Sequence, residues 1–265
     1  LLLAVALLPA RGAAAGGEPQ VRPGGIVRWR ADGATACAAA GRTWAPIEGT
    51  CYFPVDLLAA GSLRLELTVG GAVAGVTVRV AAYPYPEQRL TVDDTMVHLS
   101  PEDEARAARE AEQVRPLWAL EGEPRFTLPL GPPLARLPEG GRFGARRVFN
   151  GEPRSPHAGA DYKAMTGTPV LAVADGRVAL AAEHFFGGNS VYVDHGGGLV
   201  TVAMHLSRMA VKTGDKVKRG QVIGEVGATG RVTGPHLHFA VRWHGARVDP
   251  ALPLGPVSAI PELTP

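Results

Sequence analysis

Two cysteines are all that this 265-residue chain contains, which excludes a thiolate-rich metal centre or a dense disulfide scaffold. An excess of charge of one sign is also missing. Lysine and arginine number 27 against 25 aspartate and glutamate, a net charge of +2 with no polybasic run, so nucleic acid is not implied as a partner. Long hydrophobic runs are absent. Leu1 to Leu8 is apolar but too short to span a bilayer. With Ala13-Ala14-Ala15-Gly16 behind it, that run reads as the core and cleavage region of a secretory signal over residues 1–15, and the chain is expected to begin inside that signal. No cysteine follows to carry a lipid anchor. An exported, periplasmic or extracellular protein without a transmembrane segment is therefore expected.

What is present is glycine and proline, 34 and 23 residues, with 46% hydrophobic and 20% charged residues. That composition supports a buried core made of strands and turns rather than long helices. Cys37 and Cys51 lie close together in sequence. In an oxidising compartment they are expected to pair, closing a short loop and stabilising the fold by roughly 3 kcal/mol.

The pattern divides the chain. Residues 16–92 carry short alternating strands: Ile26-Val27-Arg28-Trp29, then Leu63 to Val69, the turn Gly70-Gly71, and Val76 to Val80. With Trp44 expected in the core, this predicts a small accessory β-sandwich. Residues 93–136 form a linker. In it Ser100 is a good N-cap, Pro101 suits the first helical position, and Glu102, Asp103 and Glu104 crowd the first turn, predicting a helix to about Trp118. The helix reads as a connector, with a lid over the second domain as the alternative. Leu128-Pro129-Leu130-Gly131-Pro132-Pro133 leads into a β-rich second domain, 137–250, and the tail 251–265 reads as irregular.

Chemistry concentrates in the second domain. His236 and His238 lie two apart in a strand-like run, so both imidazoles share one face. Upstream, His157 and Asp161 are spaced four apart in a loop leading to a strand, and His205 stands at the expected end of another strand. Four histidines and one aspartate suit a metal that takes nitrogen and oxygen ligands, with two histidines left over for acid–base work. His98, His184 and His244 match no motif and read as surface or structural.

The ordered series His157-x-x-x-Asp161, Asp194-His195-Gly196, Met204-His205-Leu206-Ser207, Gly214-Asp215-Lys216-Val217-x-x-Gly220-Gln221 and Thr229-Gly230-x-x-Thr233-Gly234-Pro235-His236-Leu237-His238-Phe239 resembles the lysostaphin/LytM-type zinc endopeptidases of bacterial cell-wall turnover. The resemblance covers nearly all of the second domain. It implies a two-layer antiparallel β-fold with a groove along one sheet. It implies one zinc ion per chain held by His157, Asp161 and His238, with His205 and His236 as the catalytic pair. It also suggests that His195 lies near the groove, where it contacts substrate or supports the site, with a turn residue bonding to local backbone as the alternative. The implied substrate is a peptide cross-link or stem peptide of peptidoglycan. Relatives often carry Tyr-Ala-His where this chain has Ala203-Met204-His205, which leaves specificity open.

Two other readings stand beside this one. A non-catalytic regulator that binds cell-wall hydrolases shares the same domain, but such relatives typically lose metal ligands. The stretch Val211 to Gly224 also resembles the hairpin of biotinyl and lipoyl carriers, yet no Met-Lys-Met-like turn occurs. An autoinhibitory contact from the accessory domain or the linker is a further expectation.

Overall fold

Apolar and polar residues alternate along most of the chain, a period that strands satisfy. The computed structural model is accordingly built mainly of strands, and it describes residues 18–263 apart from positions 93, 95, 96 and 139. The signal reading of residues 1–15 lies outside the described residues. None of the described helices is long and apolar enough to cross a membrane.

The accessory unit holds β1 (Gln20–Val21), β2 (Ile26–Arg30), β3 (Ala34–Ala39), β4 (Arg42–Trp44), β5 (Thr50–Pro54), β6 (Ser62–Val69) and β7 (Ala72–Val80). They make one sheet in the order β1-β7-β6-β3-β4 and a two-stranded sheet, β2-β5. Trp29, Phe53, Leu65, Leu67 and Val78 fill the shared core. A disulfide between Cys37 on β3 and Cys51 on β5 ties the two sheets together. Gly70 and Gly71 close the β6–β7 hairpin at φ 55° and 83°, where a side chain would be strained. Trp44 is half-buried rather than central. Its ring meets Phe53 edge-on and stacks on His244 of the second domain with centroids 4.2 Å apart.

The next strand, β8 (Glu87–Leu90), falls in the stretch grouped by composition with the accessory unit. Its hydrogen bonds go elsewhere: it runs parallel to β9 (Arg146–Phe149), which pairs with β10 (Glu152–Pro153). Between β8 and β9 comes α1 (Pro101–Val114), capped by the Ser100 hydroxyl, which accepts from the Asp103 N–H at 3.1 Å. The α-helix stops at Val114 and continues as a 3-10 turn, Arg115–Ala119. Pro116 explains the change, since it has no N–H to give and its ring crowds the preceding turn.

The second domain contains β11 (Ala160–Tyr162), β12 (Pro169–Leu171), β13 (Gly176–His184), β14 (Gly188–Asp194), β15 (Leu199–Met209), β16 (Lys216–Val217), β17 (Val222–Val226), β18 (Leu237–Trp243) and β19 (Ala246–Val248). They form a nine-stranded antiparallel sheet with the path β11-β18-β15-β14-β13-β16, in which β17 bridges β15 to β12 and β19 borders β18. Inward residues Leu237, Phe239, Val241 and Trp243 of β18 join Val191, Val193, Leu199, Ile223 and Val226 in the main core. On the other face, Leu180, Tyr192, Val202 and Ala240 form a second apolar patch, against which Val114, Leu117 and Trp118 pack. The linker helix thus lies on the outer face of the sheet.

The two β units are joined at the far end of β18. Asp56 accepts from the Arg247 guanidinium and backbone N–H, Tyr52 stacks on Trp243 at 5.3 Å, and Arg22 pairs with Asp249 at 2.8 Å. The tail, expected to be irregular, forms α2 (Ala251–Leu254) and then returns to the accessory unit. The Leu263 N–H donates to the Arg28 carbonyl at 2.8 Å, and Ile260 is buried. Its apolar residues give the reason, since Ile260 and Leu263 find cores to enter.

Candidate metal centre

Strand register brings the site together. β18 lies between β11 and β15, so His238 stands opposite Asp161 on one side and Met204 on the other. His236 is one step before β18 and bridges to Gly227. His157 reaches the same place from the loop before β11, where its N–H donates to the Ala145 carbonyl. The loop needs Gly159 for close approach, because a Cβ there would stand 2.6 Å from His238 Nε2 and from the Phe239 carbonyl oxygen.

His205 joins this group through an interruption in β15. Simple alternation puts position 205 on the same face as Leu199, Thr201 and Ala203, towards the core. At His205 φ is 64°, and the pairing register of β15 shifts just beyond it. The irregularity turns the imidazole to the outer face and returns Leu206 to the core. The expected strand end is therefore a mid-strand irregularity, as β15 continues to Met209.

Three donor atoms converge. His157 Nε2 lies 3.0 Å from Asp161 Oδ1 and 3.0 Å from His238 Nδ1, and His238 Nδ1 lies 2.9 Å from Asp161 Oδ1. His157 gives its Nδ1–H to the Arg142 carbonyl at 2.9 Å, which leaves Nε2 as a bare lone pair when the ring is neutral. Such lone pairs facing a carboxylate repel unless a proton or a cation lies between them. Two imidazole nitrogens and one carboxylate oxygen are a donor set that zinc accepts, so these three side chains could hold such an ion. Asp161 divides its oxygens: Oδ1 faces the histidines, while Oδ2 meets Arg147 at 3.4 Å. Burial opposes ionisation of Asp161, but the His157 and His238 contacts outweigh it and hold the carboxyl well below the usual range. Burial pushes the His157 ring down to about 4. Arg147 had no signal in the sequence, since no motif includes it.

The other two histidines stand beside this cluster with ring centroids 4.9 Å apart. His205 gives its Nδ1–H to the Thr229 carbonyl, and His236 gives its own to the Gly234 carbonyl, each at 2.9 Å. Each thereby keeps Nε2 off the backbone, and that of His236 lies 3.6 Å from Asp161 Oδ1. Burial, helped by the neighbouring rings of His238 and His236, pushes His205 down to about 3, so it is neutral near pH 7. For His195 the structure favours the turn-residue alternative over a substrate contact. Its ring is fully buried, Nδ1–H donates to the Asp175 carbonyl, and Nε2 accepts from the Thr201 hydroxyl, both at 2.8 Å. Its place one step after the β14 strand sends it inward, where it braces a turn.

Around the five residues lie three hollows. The one between α1 and the sheet measures about 380 Å³ and has Glu110, Val114 and Trp118 facing His157, His205 and His238. None of the three includes a residue from β1 to β7.

Comparison with known proteins adds to this geometry. Residues 155–250 match the model of Peptidase family M23. The peptidoglycan DD-endopeptidase ShyC of Vibrio cholerae is 48% identical over 94 residues, 36% of this chain and 22% of that protein. The DD-carboxypeptidase/endopeptidase Mpg of Neisseria meningitidis is 44% identical over 108 residues, 41% of this chain and 24% of that protein. The matched stretch thus spans less than a quarter of these curated relatives. The crystal structure of a candidate peptidase M23 from Pseudomonas aeruginosa is 30% identical with a TM-score of 0.69, covering 88% of this chain and 94% of that one. That likeness reaches beyond the second domain into the accessory unit.

Proposed function

Because the chain belongs to peptidase family M23, we propose that it is an exported zinc-dependent endopeptidase that hydrolyses peptide cross-links or stem peptides of bacterial peptidoglycan. The observation that carries this reading is the triad of His157, Asp161 and His238 donor atoms at 2.9–3.0 Å, with two further imidazoles beside it whose Nδ1–H groups are tied to backbone carbonyls. Zinc, when bound by those three residues, supplies Lewis acidity and lowers the pKa of water.

The remaining steps belong to the chain's own groups. His205, neutral and oriented by Thr229, accepts the proton of the attacking water at Nε2 and passes it to the leaving amine as the C–N bond breaks. His236, once protonated at Nε2, hydrogen-bonds the oxygen on which negative charge develops. The Thr229 carbonyl holds His205 in the tautomer with a bare Nε2, and the Gly234 carbonyl orients the His236 ring through its Nδ1–H. Asp161 stays ionised, and Arg147 fixes its second oxygen.

The reading includes restricted access. α1 walls the hollow over His157, His205 and His238, and Glu110 anchors it by accepting from the Phe185 N–H at 2.7 Å. A bulky cross-linked substrate must displace or skirt this helix, which gives a latent form.

The test is digestion of purified peptidoglycan by the zinc-loaded protein, with mass spectrometry of the new amine and carboxylate ends. Cleavage that stops with a chelator and returns with zinc is expected. Metal-independent cleavage, or none once α1 is loosened, would count against the proposal.

A further inference from the structure

The three members of the triad are not held alike. Asp161 and His238 stand opposite each other in the β11–β18 pairing, so the sheet itself sets their spacing. His157 lies in the loop before β11 and has no strand partner. Its backbone bonds and its Nδ1–H all go to one tight turn, residues 142–145. The His157 N–H donates to the Ala145 carbonyl at 3.0 Å, its carbonyl accepts from the Gly144 N–H at 2.7 Å, and its Nδ1–H goes to the Arg142 carbonyl at 2.9 Å. Where this turn sits therefore decides where His157 Nε2 sits.

The turn does not hold itself. The Ala145 N–H closes it on the Arg142 carbonyl at 3.0 Å, with Arg142 at φ 63°. A residue with a side chain keeps that left-handed conformation only where its surroundings impose it. Those surroundings come from outside the second domain, from the segment that leaves β7 and the turn between β1 and β2. The Tyr83 hydroxyl donates to the Gly144 carbonyl at 2.6 Å, and its ring lies under the Arg146 guanidinium at 4.7 Å. Phe143 is only 5% exposed although it belongs to a turn. Its ring meets Tyr85 edge-on with centroids 5.6 Å apart and covers Gly24 so closely that a Cβ there would collide with it. The Tyr85 ring in the same way leaves no room for a Cβ at Gly144, and its hydroxyl donates to the Pro23 carbonyl at 2.6 Å. The Gly24 carbonyl accepts from the Asp249 N–H at 2.9 Å, which fixes this clamp to the second domain from the other side.

We propose that the accessory unit positions the zinc ligand His157, with Tyr83, Tyr85 and Phe143 as the positioning residues. The unit thus has a part in the metal site although no residue of β1 to β7 lines the hollows around it. Groups that orient a ligating histidine tune metal affinity nearly as strongly as the ligands do. Here the orienting group is the Arg142 carbonyl, and the two tyrosines act one step behind it, through the backbone of the turn. The inference rests on the zinc site of the proposed function and is independent of which bond is cut.

The test uses the full chain. Zinc affinity is read by competition with a chromophoric chelator, and ligand geometry by the visible absorption bands of the cobalt(II)-loaded protein. The double variant Tyr83→Phe, Tyr85→Phe removes two oxygens and keeps both rings, and it is expected to bind zinc about tenfold more weakly, with altered cobalt bands. Phe143→Ala should lose roughly ten- to a hundredfold. Leu65→Ala opens the accessory core away from this contact, and it should lower the urea midpoint while zinc affinity and cobalt bands stay as they are. Wild-type affinity and wild-type bands in the double tyrosine variant overturn the proposal, whether or not Phe143→Ala folds. An equal loss of affinity in Leu65→Ala also overturns it, because the effect would then be one of general stability. Tight zinc binding without cleavage of peptidoglycan overturns the peptidase reading and leaves this one standing, whereas a wild-type chain that binds no zinc overturns both.

Discussion

Asp56 holds Arg247 across the junction of the two β units, taking both the guanidinium and the backbone N–H at 2.9 Å. Neither side chain is more than 31% exposed. Burial opposes ionisation of Asp56, but the hydrogen bonds from Arg247 and the Leu58 N–H prevail and lower its pKa. A carboxyl with a lowered folded pKa adds stability above its unfolded pKa and loses it as pH falls through the folded one. Asp56→Asn should therefore cost about 1–3 kcal/mol in urea unfolding at pH 7. That deficit should shrink once the pH drops below the ordinary carboxylate range. An undiminished deficit in acid would mean that charge is not what joins the units.

Removing a donor of the triad should remove the metal. His157→Ala or Asp161→Asn is expected to lower zinc affinity by at least about tenfold and to abolish the thermal stabilisation that added zinc gives the wild type. Metal analysis after dialysis, with a calorimetric scan, reads both. Full zinc occupancy in either variant would assign the ion to other residues.

Activity should separate from metal content at the second pair. His205→Ala and His236→Ala are expected to keep stoichiometric zinc while kcat falls by roughly 10²- to 10⁴-fold. Loss of zinc from either would make that residue a ligand instead.

His195 is expected to stay neutral. Burial pushes its pKa down to about 4 against the bond to the Asp175 carbonyl, which acts the other way. For a histidine lowered on folding, stability is present above the unfolded value near 6.5 and is lost as pH falls towards the folded one. Histidine NMR between pH 7 and 5 should show no titration of its ring, and Thr201→Val should destabilise the fold without changing zinc content. A ring that titrates near 6.5 would show that it reaches solvent.

Glu110→Ala releases the Phe185 N–H and the Arg106 guanidinium together. Amide exchange at Phe185 should quicken, at a stability cost of about 1–2 kcal/mol. Hydrolysis of intact peptidoglycan should rise if α1 restricts the groove. Faster exchange with an unchanged rate would limit the helix to a structural role.

Period-2 alternation located β2, β6 and β7 and marked the second domain as rich in strands, because burial on one face writes itself into sequence. It also put His236 and His238 on one face, as found. It could not place His205 correctly, since the backbone irregularity there inverts the parity of the strand, and nothing in Ala203-Met204-His205 announces a positive φ. The sequence left His195 open between a substrate contact and a turn residue for a similar reason, and its ring bonds to the Asp175 carbonyl and Thr201. A histidine beside an aspartate and a glycine looks the same whether its ring faces water or closes a buried turn. Arg147 was illegible because β9 reaches Asp161 only in three dimensions. The packing of the tail was illegible because its few apolar residues show no period, although each has a core to enter.

The return of that tail has a consequence for how the molecule is made. The Arg28 N–H donates to the Pro261 carbonyl at 2.9 Å, and the Arg28 carbonyl receives Leu263. The accessory unit is thus discontinuous in sequence, with the whole second domain inserted between β7 and its last edge. During synthesis its first strands must wait, incomplete, until residues 261–263 have left the ribosome. The inserted domain can finish folding earlier, and the accessory unit is sealed after it.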